Sequence, residues 1–184
     1  MIDLGFLDPA ASTPPPRSPV GDVPGAGALV DRSLVAKTEL QAGPDDAAVL
    51  AAAVERATGA PPRTGRAIEA DGAWWCPLTP TRVLVVGDPP ATPAPPVSAV
   101  TVTSGFAAFG LSGPTARAVL ARVSALDLRR ADTGALLPGS VARVPAIVLC
   151  RREDELLILA GSAHAQYLWE TLVDAAEPSQ VTHA

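Results

Sequence analysis

At 184 residues the chain is long enough for one domain, or one domain of two small lobes, with a real core. A net charge of −5, with an isoelectric point near 4.9, excludes the basic surface that nucleic acid or an anionic membrane would need. Apolar residues make up 48% and aromatic residues only 4%, so the few rings present are expected to be packing residues.

The opening segment, residues 1–27, carries Pro14, Pro15, Pro16, Pro19 and Pro24 with Gly21, Gly25 and Gly27, and reads as an extended arm. It lacks a basic n-region and a long apolar run, so it is not read as a signal peptide. Gly25-Ala26-Gly27 opens a strand rather than following one and is no dinucleotide fingerprint. Residues 28–41 mix apolar and polar positions with near period two, a half-buried strand that contains Lys37, the sole lysine of the chain. Gly43-Pro44-Asp45-Asp46 opens a helix whose core face is Val49, Leu50, Ala53, Val54 and Ala57, closed by Gly59. Residues 73–87 predict a hairpin about Thr79-Pro80-Thr81, with Trp74, Cys76 and Leu78 on one face and Trp75 on the other. Adjacent tryptophans on opposite faces imply that both faces are covered, by the chain's own helices or, for the second face, by a partner subunit.

A second proline-rich break, residues 88–96, separates this first lobe (28–87) from a second (97–176). Two strand-like runs, 97–104 and 106–112, flank Gly105. Gly113 then turns the backbone and Pro114 suits the first position of a helix. Ala116, Val119, Leu120 and Val123 form the apolar stripe of that helix, with Arg117 and Arg122 on its flanks. Residues 131–139 read as a loop, and 140–150 as a strand interrupted at Pro145. Arg151 to Asp154 turn the chain into a second strand, ELLILA. The last helix starts at Ser162, a candidate N-cap, and buries Ala165, Leu168, Trp169, Leu172, Val173 and Ala176. Tyr167 lies opposite that stripe, as a surface residue or a partner contact. Residues 177–184 form a polar tail.

No catalytic constellation emerges. Ser162 and His164 are neighbours without an acid partner or a nucleophile elbow. His183 lies in the tail, and Glu153-Asp154-Glu155 reads as a solvated hairpin tip. Gly110 and Gly113 before a helix are a weak anion site at best. Cys76 and Cys150 stand far apart in apolar runs and are expected as buried reduced thiols; two cysteines and two histidines give neither a disulfide framework nor a zinc site. No catalytic, cofactor-binding or metal residue is assigned. No continuous apolar stretch approaches about 18 residues, so no spanning helix and a cytoplasmic location are expected.

The order of the motifs does carry a resemblance. Arg17-Ser18-Pro19, the helix of 45–58, the strand with Trp75, Leu78 and Pro80 running into Val83-Leu84-Val85, the stretch LSGPTARAVL with Asp127-Leu128, and the closing Ser162…Tyr167-Leu168-Trp169…Leu172 together resemble the gamma subunit of heterotetrameric sarcosine oxidase. The resemblance runs from about Arg17 to Ala175. That family is similar in fold to the folate-binding lobe of glycine-cleavage aminomethyltransferases, which implies an α+β fold of two small lobes of antiparallel strands with about three helices. It further implies a hetero-oligomer with alpha, beta and delta subunits that demethylates sarcosine oxidatively to glycine, yields hydrogen peroxide and passes the one-carbon unit to tetrahydrofolate. FAD, FMN, NAD and the folate would sit in the partner subunits, leaving this chain a structural role. Where relatives carry an Asp and a Ser before the central stretch, this chain has Thr101 and Thr103. A free-standing folate-binding or aminomethyltransferase-like protein is the alternative.

Overall fold

The computed structural model describes residues 17–20, 29–88, 91 and 93–177. Their ten strands and three α-helices build four layers in the order helices, sheet, sheet, helix. The first sheet has the order β1 (Leu29–Asp31), β7 (Phe106–Ser112), β10 (Glu155–Gly161), β9 (Val144–Arg152), β8 (Leu136–Val141). The second has the order β3 (Ile68–Ala70), β4 (Ala73–Thr79), β5 (Arg82–Val86), β2 (Lys37–Gln41), β6 (Ser98–Thr101). Every pairing is antiparallel. The α+β reading with antiparallel strands therefore holds.

Strand alternation decides which layer each side chain joins. In the first sheet Phe109, Leu111, Val148, Leu156 and Ile158 face helices α2 (Ala116–Val123) and α3 (Ala165–Ala176), where Phe109 meets Trp169 with ring centroids 5.3 Å apart. The alternate residues Ala108, Leu149, Leu157 and Leu159 face the second sheet and pack on Trp74, Cys76, Leu84 and Val86. Trp75, Val83 and Val85 point the other way, onto Leu50 and Val54 of α1 (Ala47–Thr58). The two tryptophans are thus covered by this chain itself: Trp75 by its helix α1, Trp74 by its other sheet.

The strand expected over 28–41 is two strands, and they belong to different sheets. Asp31 ends β1 because its carboxylate accepts the Ser33 N–H at 2.8 Å, an Asx turn that competes with further pairing. The chain then crosses to β2 on the second sheet. Residues 98–101, read as part of the second lobe, likewise join the second sheet beside β2. Each sheet therefore contains an edge strand from the other half of the chain.

The crossover is pinned by buried polar groups. Lys37 is fully buried, and its Nζ donates to the carbonyls of Ser33 at 2.8 Å and Val35 at 2.9 Å. Its backbone N–H donates to Thr103 Oγ1 at 3.0 Å, and its carbonyl accepts the Val102 N–H at 2.9 Å. The buried Ser33 hydroxyl accepts the Ala108 N–H at 3.1 Å, while Arg32 N–H donates to Ala108 O at 2.7 Å. Ser18 donates to the Asp31 carboxylate, which draws the described part of the arm onto the same corner.

Several boundaries differ from the sequence reading. Residues 136–152 form a hairpin rather than a loop and one interrupted strand; its two-residue turn places Ala142 and Arg143 at φ 49° and 66°, the primed geometry that suits strand twist. That costly conformation in non-glycine residues is held by Ala142 N–H donating to Val123 O at 2.7 Å and by Tyr167 Oη donating to Ala142 O at 3.2 Å. Helix α2 starts at Ala116, not Pro114, because Gly113 at φ 94° and a turn closed by Ala116 N–H on Gly113 O come first. Its expected stripe is buried at Ala116, Val119 and Leu120. On α1 only Leu50 and Val54 are buried, and Val49 is exposed, since the helix lays a single i, i+4 ridge on the sheet. Ser162 makes no side-chain cap; residues 162–164 form a 3₁₀ turn whose carbonyl at Ser162 accepts the Ala165 N–H. Most of the proline-rich arm, the tail with His183, and Pro89, Pro90 and Thr92 of the break lie outside the described residues.

Replacing Ser33 by Ala strands a buried N–H at Ala108. Its unfolding free energy, measured by urea denaturation, should fall by about 1–3 kcal/mol, whereas Ser98→Ala, on an exposed hydroxyl, should stay within about 0.5 kcal/mol of the parent.

Candidate functional site

The stretch that invited an anion site is the Gly-Pro corner between β7 and α2. Its Gly113 and Ala116 donors are already used. Gly113 N–H donates to Asp154 O at 2.9 Å, and Pro114 has none to offer. Arg117, the nearest cation, forks onto three backbone carbonyls: Glu153 O at 2.8 Å, Ala131 O at 2.7 Å and Leu128 O. Arg122 on the other flank donates to Ala175 O at 2.8 Å and ties α2 to the end of α3. The corner is a packing unit.

Beside it, a groove of about 880 Å³ runs along α2 and residues 125–133. Two of its carboxylates are paired within the chain. Arg129 Nε donates to Asp127 at 2.9 Å, which holds that carboxyl below the usual carboxylate range. Asp132 is held low in the same way by Arg66. These exposed pairs contribute little to stability.

The other sequence candidates separate. Ser162 and His164 share a surface turn, with no carboxylate among the described residues hydrogen-bonded to either. Glu153 and Asp154 hold α2 and the corner through their backbone carbonyls, and Glu155 binds Arg151 at 2.7 Å across the hairpin end. Thr103 is used by the Lys37 backbone, and Thr101 lies exposed on edge strand β6. Among the described residues no three His, Cys, Asp or Glu side chains are grouped to hold a metal ion.

Burial tunes the groups with chemical potential away from reactivity. Both cysteines are free and buried. Desolvation pushes the Cys76 thiol up to about 12 and raises that of Cys150, so neither presents a thiolate. Desolvation also lowers Lys37 to about 8, against a weaker opposing pull from Asp31. An amine in that range can serve as a base or nucleophile elsewhere, but here it is enclosed and hydrogen-bonded to two carbonyls. Glu39, nearly buried on β2, accepts from Arg82 Nε at 2.7 Å and Nη2 at 3.0 Å, and that fork holds its carboxyl below its ordinary range. Lys37 was missed as a structural centre by sequence reasoning; the one signal was its being the sole lysine among arginines.

No family model matches the chain, and no curated protein matches it in sequence. Solved structures do. A chain of the heterotetrameric sarcosine oxidase from Corynebacterium sp. U-96, solved in complex with pyrrole 2-carboxylate, superposes with a TM-score of 0.68 at 22% identity, covering 83% of this chain and 86% of that one. The fold is that of the sarcosine oxidase chain. Glycine cleavage system aminomethyltransferase T from Bartonella henselae superposes with a TM-score of 0.57 at 18% identity over 80% of this chain, which spans only 45% of that protein. The likeness establishes an aminomethyltransferase-like α+β fold. Among the described residues no helix is long and apolar enough to cross a membrane.

The thiols provide a direct check on this interior. In the native chain both should react with a disulfide reagent at pH 8 slower than an exposed thiol by about two orders of magnitude or more, with both released on unfolding in urea. Fast release of either from native protein would contradict their enclosure.

Proposed function

We propose that this chain is the gamma subunit of a heterotetrameric sarcosine oxidase and contributes structure rather than chemistry. The observation that carries the proposal is the superposition on a chain of such an oxidase over most of both chains. The ordered motifs from Arg17 to Leu172 support the same family. The interior supports the structural role: the Gly113 N–H, Arg117, Arg122, Lys37 and Thr103 are hydrogen-bonded within the fold, and both thiols are buried in it. In this reading the alpha and beta subunits bind FAD, FMN, NAD and tetrahydrofolate, and the assembly with the delta subunit carries out the oxidative demethylation of sarcosine in the cytoplasm. This chain supplies a packed α+β block against them.

Exposed apolar residues offer a docking face for that assembly. Val30 on β1, Leu34 and Val35 on the crossover and Val100 on β6 are 36–55% exposed, and β1 and β6 are the edge strands of their sheets. Co-expressed with the three other subunits and affinity-tagged, the chain should copurify with them and with flavin absorbance. Leu34→Glu combined with Val100→Glu should lower that recovery by about tenfold or more at unchanged chain stability. A chain that stays a stable monomer in the presence of all three subunits would overturn the reading.

A further inference from the structure

Between the two sheets, under the crossover, lies a cavity of about 370 Å³ bordered by Arg32, Trp74, Val86, Arg151, Glu155 and Leu157. Two residues that line it carry buried donors without acceptors among the described residues: the indole Nε1–H of Trp74, a residue only 4% exposed, and the guanidinium Nε–H of Arg151. Buried polar groups in folded proteins almost always have partners, so two orphans of the same sense on residues lining one cavity define what is missing. Both are donors. The complement is a group that only accepts.

The charges around the cavity sharpen this. Arg151 Nη1 donates to Glu155 Oε1 at 2.7 Å, which fixes the guanidinium plane and neutralises Glu155 while leaving Nε unengaged. Arg32 is anchored by its backbone N–H on Ala108 O, and its stem lies over Gly110, where an added Cβ would sit 3.5 Å from Arg32 Cγ. Its guanidinium makes no hydrogen bond or ion pair with another described residue, and so leaves the cavity with one uncompensated positive charge. Arg152, paired with Glu69 at 3.0 Å, places its guanidinium carbon 5.8 Å from the centre of the Trp74 ring. Val86 and Leu157 supply apolar wall. A volume of this size is at the lower end of small-molecule sites.

We propose that this cavity binds a small carboxylic acid with an apolar body, its carboxylate accepting from Trp74 Nε1 and Arg151 Nε and paired in charge with Arg32. Such charge-assisted bonds favour a carboxylate over a neutral group of the same shape. The site is independent of the assembly role proposed above, and either can fail without the other.

The test uses the full chain labelled with ¹⁵N, whose three tryptophans give three indole resonances, that of Trp74 assigned by its loss in Trp74→Phe. Benzoate is titrated at constant ionic strength, with benzamide as the neutral control of equal shape. The Trp74 resonance should move saturably with benzoate, the Trp169 resonance should not, and benzamide should bind about tenfold or more weakly. Arg32→Gln, which removes a side chain with no internal partner, should weaken benzoate by about tenfold or more. Arg151→Gln should do the same, its fold checked by the unchanged remainder of the spectrum. A linear, unsaturated shift, an equal response to benzamide, or wild-type affinity in Arg32→Gln would overturn the proposal.

Discussion

The structure depends on a buried ammonium group. Lys37 begins β2 at the place where the chain leaves one sheet for the other, and its Nζ is enclosed, with the Ser33 and Val35 carbonyls as its acceptors among the described residues. Burying an ammonium without a hydrogen-bonded carboxylate is costly, as its downward-shifted pKa near 8 records. In return, both carbonyls of the crossover turn are given a hydrogen-bond donor, the Ser33 carbonyl in the interior and the Val35 carbonyl nearer the surface. The same short segment fixes Ala108 of β7 through Ser33 and Arg32, and Val102 and Thr103 through the Lys37 backbone. One crossover thus sets the register of β1 on the first sheet and of β2 and β6 on the second. The intersheet core of Trp74, Leu84, Leu149, Leu157 and Leu159 can close only when that geometry is met.

This dependence explains why groups that would be functional candidates elsewhere are inert here. A lysine near pH 8, a carboxylate forked by arginine and two cysteines are chemically suggestive, yet each is held by partners within the fold or shut away by apolar packing. The Gly-Pro corner is another case: its donors and the adjacent Arg117 close the loop of residues 128–131 and the 153–154 turn onto α2. These groups are committed to the chain's own architecture. The superposition on a chain of a heterotetrameric sarcosine oxidase shows that the same architecture is built there.

Much of the fold was legible where local physics decides it. Gly59 at φ 75° closes α1 as expected of a C-cap glycine, and the apolar stripes of α2 and α3 face the first sheet as their spacing requires. The opposed tryptophans correctly signalled two covered faces. What local pattern could not disclose was which sheet a strand joins: the alternation over 28–41 is equally good for one strand or two, and only the Asp31 turn and the long-range Lys37 contacts divide it. The Ala142-Arg143 turn was hidden because neither residue favours positive φ; contacts from α2 and Tyr167, far away in sequence, stabilise it. The cavity donors were equally invisible, since Trp74 and Arg151 come together only across the two sheets. Family resemblance supplied what local physics lacked, through the order of motifs that are individually weak.

The most direct measurement is the titration of Lys37, which lysine-selective labelling isolates because the chain has no other lysine. The unfolded chain holds that proton up to the ordinary lysine value of 10.5, whereas the folded chain releases it near 8. Between those values the unfolded state therefore binds more protons, and stability should rise with pH, by roughly 3 kcal/mol across the window relative to a Lys37→Met chain. A single ¹⁵Nζ midpoint near 8, accompanied by that rise, is the predicted result. A midpoint at the ordinary value, with no difference in pH dependence between the two chains, would contradict a crossover built on a buried ammonium.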